Sequence, residues 1–562
     1  MKFKSMFSIW VVFFLSGALT NAQSQQAAFR PGEVIVKFKS DVTTASIDSV
    51  LSNAGIQIAR EFSDISVYKC TISGGKAVHT AVAECNADPN IEYAEPNYIY
   101  RTFKTPDDPR FSDLWNLTII SAPEAWDLQT GFRTNIVGVI DTGVDLDNED
   151  LEANIWKNPG ESGDGKESNG IDDDGNGFID DYRGWDFIND DNNPNDDNDH
   201  GTHVSGTLGA VGDNGIGIVG VNWEVSIMAL KFLGADGSGS LDDAIGAILY
   251  ATNNGAKVLS NSWGGGGRSQ ALEDAIKFAN DNGVLFIAAA GNAGTDNDSS
   301  PSYPASYEVE NVIAVANNTS SDRLASSANF GKNSVHLAAP GTDILSTVRN
   351  NGYQRFSGSS MSTPHVSGAA ALIWAQYPGI SSNQVKIRLL GSVDRKPAYT
   401  GKVATGGRLN VYKALSTHPI IFTRRLDNTE NETGPYVVNA DITDDTSISS
   451  AQLTYQISGG TSATNAMTLI GNGLYRAEIP GQPKGTTITY FVKAADSDGN
   501  ETRDSNFTFE VREAGGCGAG GAAEITSIQK PALRTTVNAT LNIIFFLLPL
   551  YLIKSRSGRR KA

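Results

Sequence analysis

Cysteine is scarce in this chain. Cys70, Cys85 and Cys517 are three among 562 residues, which excludes a fold built on a disulfide framework. Positive charge is short as well: 44 Lys and Arg stand against 63 Asp and Glu, and the net charge of −19 excludes a nucleic-acid partner held through its phosphates. Apolar runs stop early. Met6–Leu15 and Leu541–Ile553 both fall short of the ~20 residues that a spanning helix needs. Histidine occurs six times, so few groups can serve as a base near neutral pH. What is present is ordinary for globular protein, 40% hydrophobic and 19% charged, and the length predicts several domains rather than one core.

Residues 1–22 carry Lys2 and Lys4, then Met6–Leu15, then the small residues Thr20-Asn21-Ala22. That pattern is a signal peptide for export, removed from the mature protein. Residues 23–101 read as a small α/β unit. Glu33–Phe38 alternates like a half-buried strand, Ser46–Ala54 has helical spacing, and Asn90–Tyr100 returns as a strand. Cys70 and Cys85 fall in this unit, where export permits them to pair. The Pro-rich, charged stretch Thr102–Arg110 is an exposed linker open to cutting.

From residue 106 to 416 buried strands alternate with amphipathic helices. Asn135–Ile140, Ser226–Phe232, Lys257–Ser260, Gly283–Ala290 and Val312–Ala316 are apolar runs. Leu241–Asn253 and Gln270–Asn282 lie between them with helical spacing. The fold class expected is α/β, a mostly parallel doubly wound sheet whose polar groups gather at the strands' carboxyl ends. Asp141 sits at such an end, where a carboxylate needs a partner. His200 and His203 lie in a small-residue helix start, and position alone does not choose between them. Ser360 lies in FSGSSMSTPHVSG, residues 356–368, ahead of Pro364 and an apolar stretch. Proline suits the first turn of a helix, which puts Ser360 at a helix N-terminus favourable to developing negative charge. A serine hydroxyl needs a base, and the base needs an orienting carboxylate.

The segments Ile140–Val144, His200–Thr207 and Gly358–Pro364, in the order Asp, His, Ser, resemble the three active-site blocks of subtilisin-like serine proteases. The resemblance covers residues 106–416 and implies a triad of Ser360 as nucleophile, His200 as base and Asp141 as orienting acid. It implies that Asn292 donates to the oxyanion. Gly237, Ser238 and Gly239 on one edge, and Ser262, Trp263 and Gly264 on the other, would pair with an extended protein or peptide substrate. Ala289, Ala290 and Gly291 would wall the primary pocket with Ser302 near its floor, a small uncharged lining that takes apolar or aromatic side chains. The family usually has Thr and Ala where this chain has Ser359 and Ser362, and more often Leu where it has Trp263. By the same resemblance residues 23–101 are a propeptide that assists folding and then blocks the cleft, with maturation within residues 100–109.

Acidic residues concentrate between Glu161 and His200, fourteen of them against Lys166 and Arg183. Asp172, Asp174 and Asn176 at alternate positions, then Gly177, match the first half of a calcium loop. Arg183 stands where an EF-hand would have its closing Glu, so Asp180 or Asp181 is left to close the site. A structural Ca2+ is expected, and subtilisin-like proteases carry similar acidic inserts as calcium loops.

Residues 418–512 hold short alternating strands at the spacing of an all-β sandwich of immunoglobulin or fibronectin type. Residues 513–536 are a Gly-rich linker with Cys517. Residues 537–562 join the apolar run Leu541–Ile553 to a basic end, which fits either a membrane anchor or a transient sorting signal. The expectation is a secreted or cell-surface serine endopeptidase, made as a proenzyme and stabilised by Ca2+. Two rivals are a zinc hydrolase using His200 and His203, and a catalytically inert surface-binding protein on a protease fold.

Overall fold

The computed structural model describes residues 29–99 and 104–513; the signal peptide, the Gly-rich linker and the tail, with Cys517, lie outside the described residues. The first unit comprises β1 (Phe29–Phe38), α1 (Thr44–Ala54), β2 (Ile56–Phe62), β3 (Val67–Ile72), α2 (Val78–Ala87) and β4 (Ile91–Tyr98). Its antiparallel sheet runs β2-β3-β1-β4. Alternation along β1 turns Val34, Val36 and Phe38 inward, where they meet Cys70 of β3 and Ala81 and Cys85 of α2. The two cysteines are buried free thiols, and burial with the nearby Cys85 pushes the Cys70 thiol up to about 12.

Two short helices, α3 (Trp115–Ile119) and α4 (Ala122–Trp126), lead into a nine-stranded sheet. Its strands are β5 (Gly131–Asp141), β6 (Gly184–Asp186), β7 (Glu224–Lys231), β8 (Val258–Asn261), β9 (Leu285–Ala289), β10 (Val312–Asn318), β11 (Leu337–Pro340), β14 (Asp394–Arg395) and β15 (Gly407–Arg408). The hairpin of β12 (Ile344–Val348) and β13 (Gly352–Phe356) stands apart from it. Spatial order is β14-β15-β11-β10-β9-β8-β5-β7-β6, parallel except for β14 on β15.

Both faces are covered, as the near-continuous apolar strands require. Val137, Val139, Ile227 and Ala229 face one core with α5 (His200–Gly209) and α8 (Ser359–Gln376). Ile140, Met228 and Leu230 face the other with α6 (Leu241–Asn253) and α7 (Gln270–Asp281). Helix α8 is buried almost all round, and its serines, alanines and glycine let it pass through the core. Next come α9 (Ser382–Gly391) and α10 (Val411–Ala414).

The C-terminal region is mostly antiparallel: β16 (Ile420–Thr423), β17 (Tyr436–Thr443), β18 (Ile448–Ile457), β19 (Ser462–Ala466), β20 (Thr468–Gly471), β21 (Leu474–Ile479), β22 (Thr487–Asp496), β23 (Glu501–Arg503) and β24 (Phe507–Glu510). Two sheets, β16-β17-β21-β20 and β19-β18-β22-β23 with β24 on β22, close over Val438, Leu453, Tyr490, Val492 and Phe509. This sandwich is tied to the preceding region. Arg395 pairs with Asp504, Lys332 reaches Asp427 at 3.0 Å, and Asn383 donates to the Asn472 carbonyl at 2.8 Å. No helix among the described residues is long and apolar enough to cross a membrane.

Candidate active site

Neighbouring strands β9, β8, β5 and β7 end at one rim. Ala288 lies opposite Asn261, Asn261 opposite Ile140, and Asp141 opposite Lys231. Asp141 is fully buried, and its Oδ1 accepts from the Thr142 N–H at 2.8 Å and from Nδ1 of His200 at 2.7 Å. His200 opens α5. Gly201 follows because that helix starts against β5's exit: a Cβ there would stand 2.0 Å from the Gly143 carbonyl oxygen. About a quarter of the His200 side chain is open to solvent, and its Nε2 has no hydrogen-bond partner among the described residues. Burial works against the imidazolium. The Asp141 charge and hydrogen bond, and more weakly Asp196, work for it, and the balance holds His200 above the ordinary imidazole value.

Ser360 is the second residue of α8. Pro364 lies inside the helix rather than in its first turn, so the expected placement shifts by about one turn. Lacking an N–H, Pro364 leaves the carbonyl four residues back without its helical donor. That carbonyl belongs to Ser360, and Ser262 Oγ donates to it at 2.8 Å. In return Ser360 Oγ donates to the Ser262 carbonyl at 3.0 Å. A reciprocal pair of bonds thus fixes the start of α8 against the end of β8.

Asn292 completes the rim. Its Oδ1 accepts the Ser359 N–H at 2.8 Å, which caps α8 and leaves the amide Nδ2 as a free donor beside the helix start. A Cβ at Gly358 would meet that Nδ2 at 3.3 Å, so glycine keeps the amide close. The two residues that depart from the family pattern are engaged elsewhere. Ser359 Oγ accepts the Gly291 N–H at 3.2 Å and Ser362 Oγ donates to Ala339 O at 2.9 Å.

Gly237, Ser238 and Gly239 lie in an exposed loop closed by Gly234 N–H to Ser238 O at 2.9 Å, and Asn198 fastens it by donating to Ala235 O at 2.9 Å. The loop and the segment Ser262–Gly264 both lie outside the regular strands. Trp263 packs edge-on against Phe232, ring centres 4.9 Å apart, and so spans the feet of both edges. Ala289 and Ala290 are buried at the end of β9, and Ser302 Oγ would stand 3.4 Å from a Cβ on Gly291, which puts those residues in one place.

His203 points elsewhere. Its Nε2 donates to the carbonyls of Ile344 and Gln354 at 2.9 and 3.1 Å, its ring stacks on Phe356, and burial pushes it down to about 3. Among the described residues neither His200 nor His203 belongs to a three-ligand cluster, so the zinc arrangement fails on geometry. His365, bound to Met361 O and Asn116, is buried and held at about 4.

The acidic insert brings carboxylate oxygens of Glu161, Asp172 and Asp174 within 4.8 Å of one another. Glu161 was not among the residues that spacing suggested, since it lies eleven positions before Asp172 in a separate turn. It is fully buried; Oε1 accepts the Asp173 N–H at 2.7 Å and Oε2 has no partner. Burial raises its pKa. Hard oxygen donors with one buried orphan fit Ca2+. Asn176 spends Oδ1 on the Phe178 N–H. Asp180 accepts the Gly170 N–H, and Asp181 accepts from Tyr250, Asn158 and Asn176. Neither converges with the other three; Asp181 instead ties the loop to α6.

The subtilase family profile matches residues 133–412, and the fervidolysin N-terminal prodomain profile matches residues 17–97. A thermophilic serine proteinase of Bacillus sp. (strain AK1) is 35% identical over 398 residues, covering 70% of this chain and 90% of that protein. Thermitase of Thermoactinomyces vulgaris is 36% identical over 312 residues, covering 55% and 99%. A solved protease of Pseudoalteromonas arctica aligns with a TM-score of 0.46 at 28% identity, covering 56% and 99%. The chain belongs to the subtilase family and is a serine-type endopeptidase with an N-terminal prodomain.

Proposed function

We propose that the protein is exported and hydrolyses peptide bonds through an acyl-enzyme on Ser360. The observation that carries this reading is the 2.7 Å bond between His200 Nδ1 and the buried Asp141 carboxylate at the rim where α8 begins. The Ser360 hydroxyl turns from the Ser262 carbonyl to His200 Nε2, gives up its proton and attacks the scissile carbonyl. His200 then protonates the leaving amine, and water repeats the sequence on the acyl group. Asn292 Nδ2 and the Ser360 backbone N–H receive the oxyanion. The substrate lies extended between Gly237–Gly239 and Ser262–Gly264, and its primary side chain, apolar or aromatic, enters between Ala289–Gly291 and Ser302. A fluorophosphonate probe is expected to label wild type and to miss Ser360→Ala; an unlabelled, folded wild type would leave the inert surface-binding reading in its place. Mass spectrometry of the exported species checks loss of the signal peptide and prodomain.

Glu161, Asp172 and Asp174 would hold a structural Ca2+, which when bound offsets most of their charge and ties the insert down. At a free concentration a hundred times Kd, one such site contributes about 2.7 kcal/mol. EGTA is therefore expected to lower Tm by roughly 3–4 °C, and Glu161→Gln in the presence of Ca2+ to melt at that same lowered value. An unchanged Tm on chelation would remove the site.

A further inference from the structure

Asp196 lies in the loop before α5 and is buried, 8% exposed. Its carboxylate accepts five hydrogen bonds: Thr142 Oγ1 at 2.8 Å, Thr202 N–H at 3.0 Å, Thr202 Oγ1 at 2.6 Å, Asn198 N–H at 2.9 Å and Asp199 N–H at 3.1 Å. Thr142 follows Asp141 in the chain and Thr202 comes two residues after His200. Thr142 Oγ1 also accepts the Gly201 N–H at 2.8 Å. One carboxylate therefore clamps the end of β5 to the first turn of α5, the two elements that carry Asp141 and His200. It also caps α5, since Asp199 at the cap position offers its helix no side-chain bond.

The charge has a second effect. Nearby basic groups are spoken for: Lys231 reaches Asp197 at 2.7 Å and the carbonyls of Thr142 and Leu233, and Arg349 holds Asp199 at 2.7 Å. Among the described residues no Lys or Arg pairs with Asp196; the Arg349 cation that holds Asp199 also feels the Asp196 charge and offsets part of it, and the rest acts on its surroundings. The charged and titratable groups around His200 are Asp141 on β5, Asp196 in the loop, and His203 on its own helix, which burial keeps neutral. Lys231 on β7 stands behind the Thr142 carbonyl.

We propose that Asp196 is a positioning residue of the proteolytic site, which fixes Asp141 and His200 in register and lends the His200 imidazolium a second negative charge. This rests on the proposed triad. It also explains a buried anion that no cation pairs: five donors compensate for lost hydration, and the remaining field stabilises the charge that His200 acquires during acylation.

The experiment measures kcat and KM against pH on a peptide anilide, after fluorophosphonate labelling has shown that wild type is a working serine hydrolase. Failure of that labelling would sink the triad itself and is read separately. Asp196→Asn is expected to lower kcat about tenfold with KM within twofold, and to move the acid limb of kcat/KM down by about half a pH unit. Asp196→Glu, which keeps the charge but displaces it, is expected to restore the acid limb while kcat stays low. Should Asp196→Asn fail to fold, the double variant Thr142→Val with Thr202→Val keeps the charge and removes two of the clamping hydroxyls. It is expected to lower kcat at least fivefold with the acid limb unmoved. An Asp196→Asn enzyme with the wild-type acid limb, or a double variant with wild-type kcat, would overturn the assignment.

Discussion

Ser360→Ala is expected to reduce kcat by about 10^6-fold, a scale borrowed from subtilisin, a relative of this chain. KM should stay close to wild type, because Ser360 contributes a hydroxyl to the reaction and little surface to substrate binding. The fold should survive. The change removes one bond, Ser360 Oγ to Ser262 O, worth about 1 kcal/mol, and spares the reverse bond from Ser262 Oγ that depends on the Ser360 backbone. His200→Ala should cost about as much in kcat, and the double variant hardly more, since a nucleophile without its base and a base without its nucleophile fail at the same step. Because maturation would use the same serine, Ser360→Ala is also expected to accumulate with residues 23–101 still attached. Intact mass and single-turnover kinetics read both outcomes. A folded Ser360→Ala that kept a tenth of wild-type kcat would remove the nucleophile assignment.

The two halves of the site differed in how far the sequence exposed them. Asp141 was visible because a carboxylate closes a run of buried apolar residues, a costly place that calls for a partner, and the structure supplies His200 at 2.7 Å. The choice of His200 over His203 was not in the residue types. Both lie in one small-residue segment, and what separates them is tertiary: His203 is spent on β12 and β13, which are more than 130 residues away in the chain. Asp196 and Glu161 were hidden for a similar reason. Each sits in an Asp/Asn/Gly-rich stretch where every neighbour is an equally good oxygen donor, and only the folded chain shows which carboxylates are buried.

The sheet shows the same division. Strands β5, β7, β8, β9 and β10 are apolar runs long enough to be read from pattern alone. β6, β14 and β15 span two or three residues and leave no period to recognise. Helix α8 could be placed to within a turn, but proline was assigned to the wrong turn, because the compensation comes from Ser262, far off in sequence. A helix-interior proline is costly where its orphaned carbonyl faces hydrocarbon, and that cost falls when a hydroxyl is waiting.

Asn292 offers the sharpest separation of chemistry from structure, because its amide has two ends with different duties. Oδ1 accepts the Ser359 N–H at 2.8 Å and caps α8; Nδ2 is the group that would meet the oxyanion. Asn292→Ala removes both. It is expected to lower kcat by about 10^2–10^3-fold, or roughly 3–4 kcal/mol of transition-state stabilisation, again a scale set by subtilisin, and to lower Tm through the lost cap. Asn292→Asp keeps an acceptor for the Ser359 N–H but puts a negative oxygen where the donor stood. Its Tm should stay near wild type, while kcat falls at least as far as in the alanine variant, because a carboxylate repels the developing oxyanion. KM should change less than threefold in both, since the interaction strengthens only as the carbonyl oxygen becomes charged. If Asn292→Asp kept both stability and kcat, the amide would be a helix cap alone, and the oxyanion would rest on the Ser360 N–H and the positive end of α8.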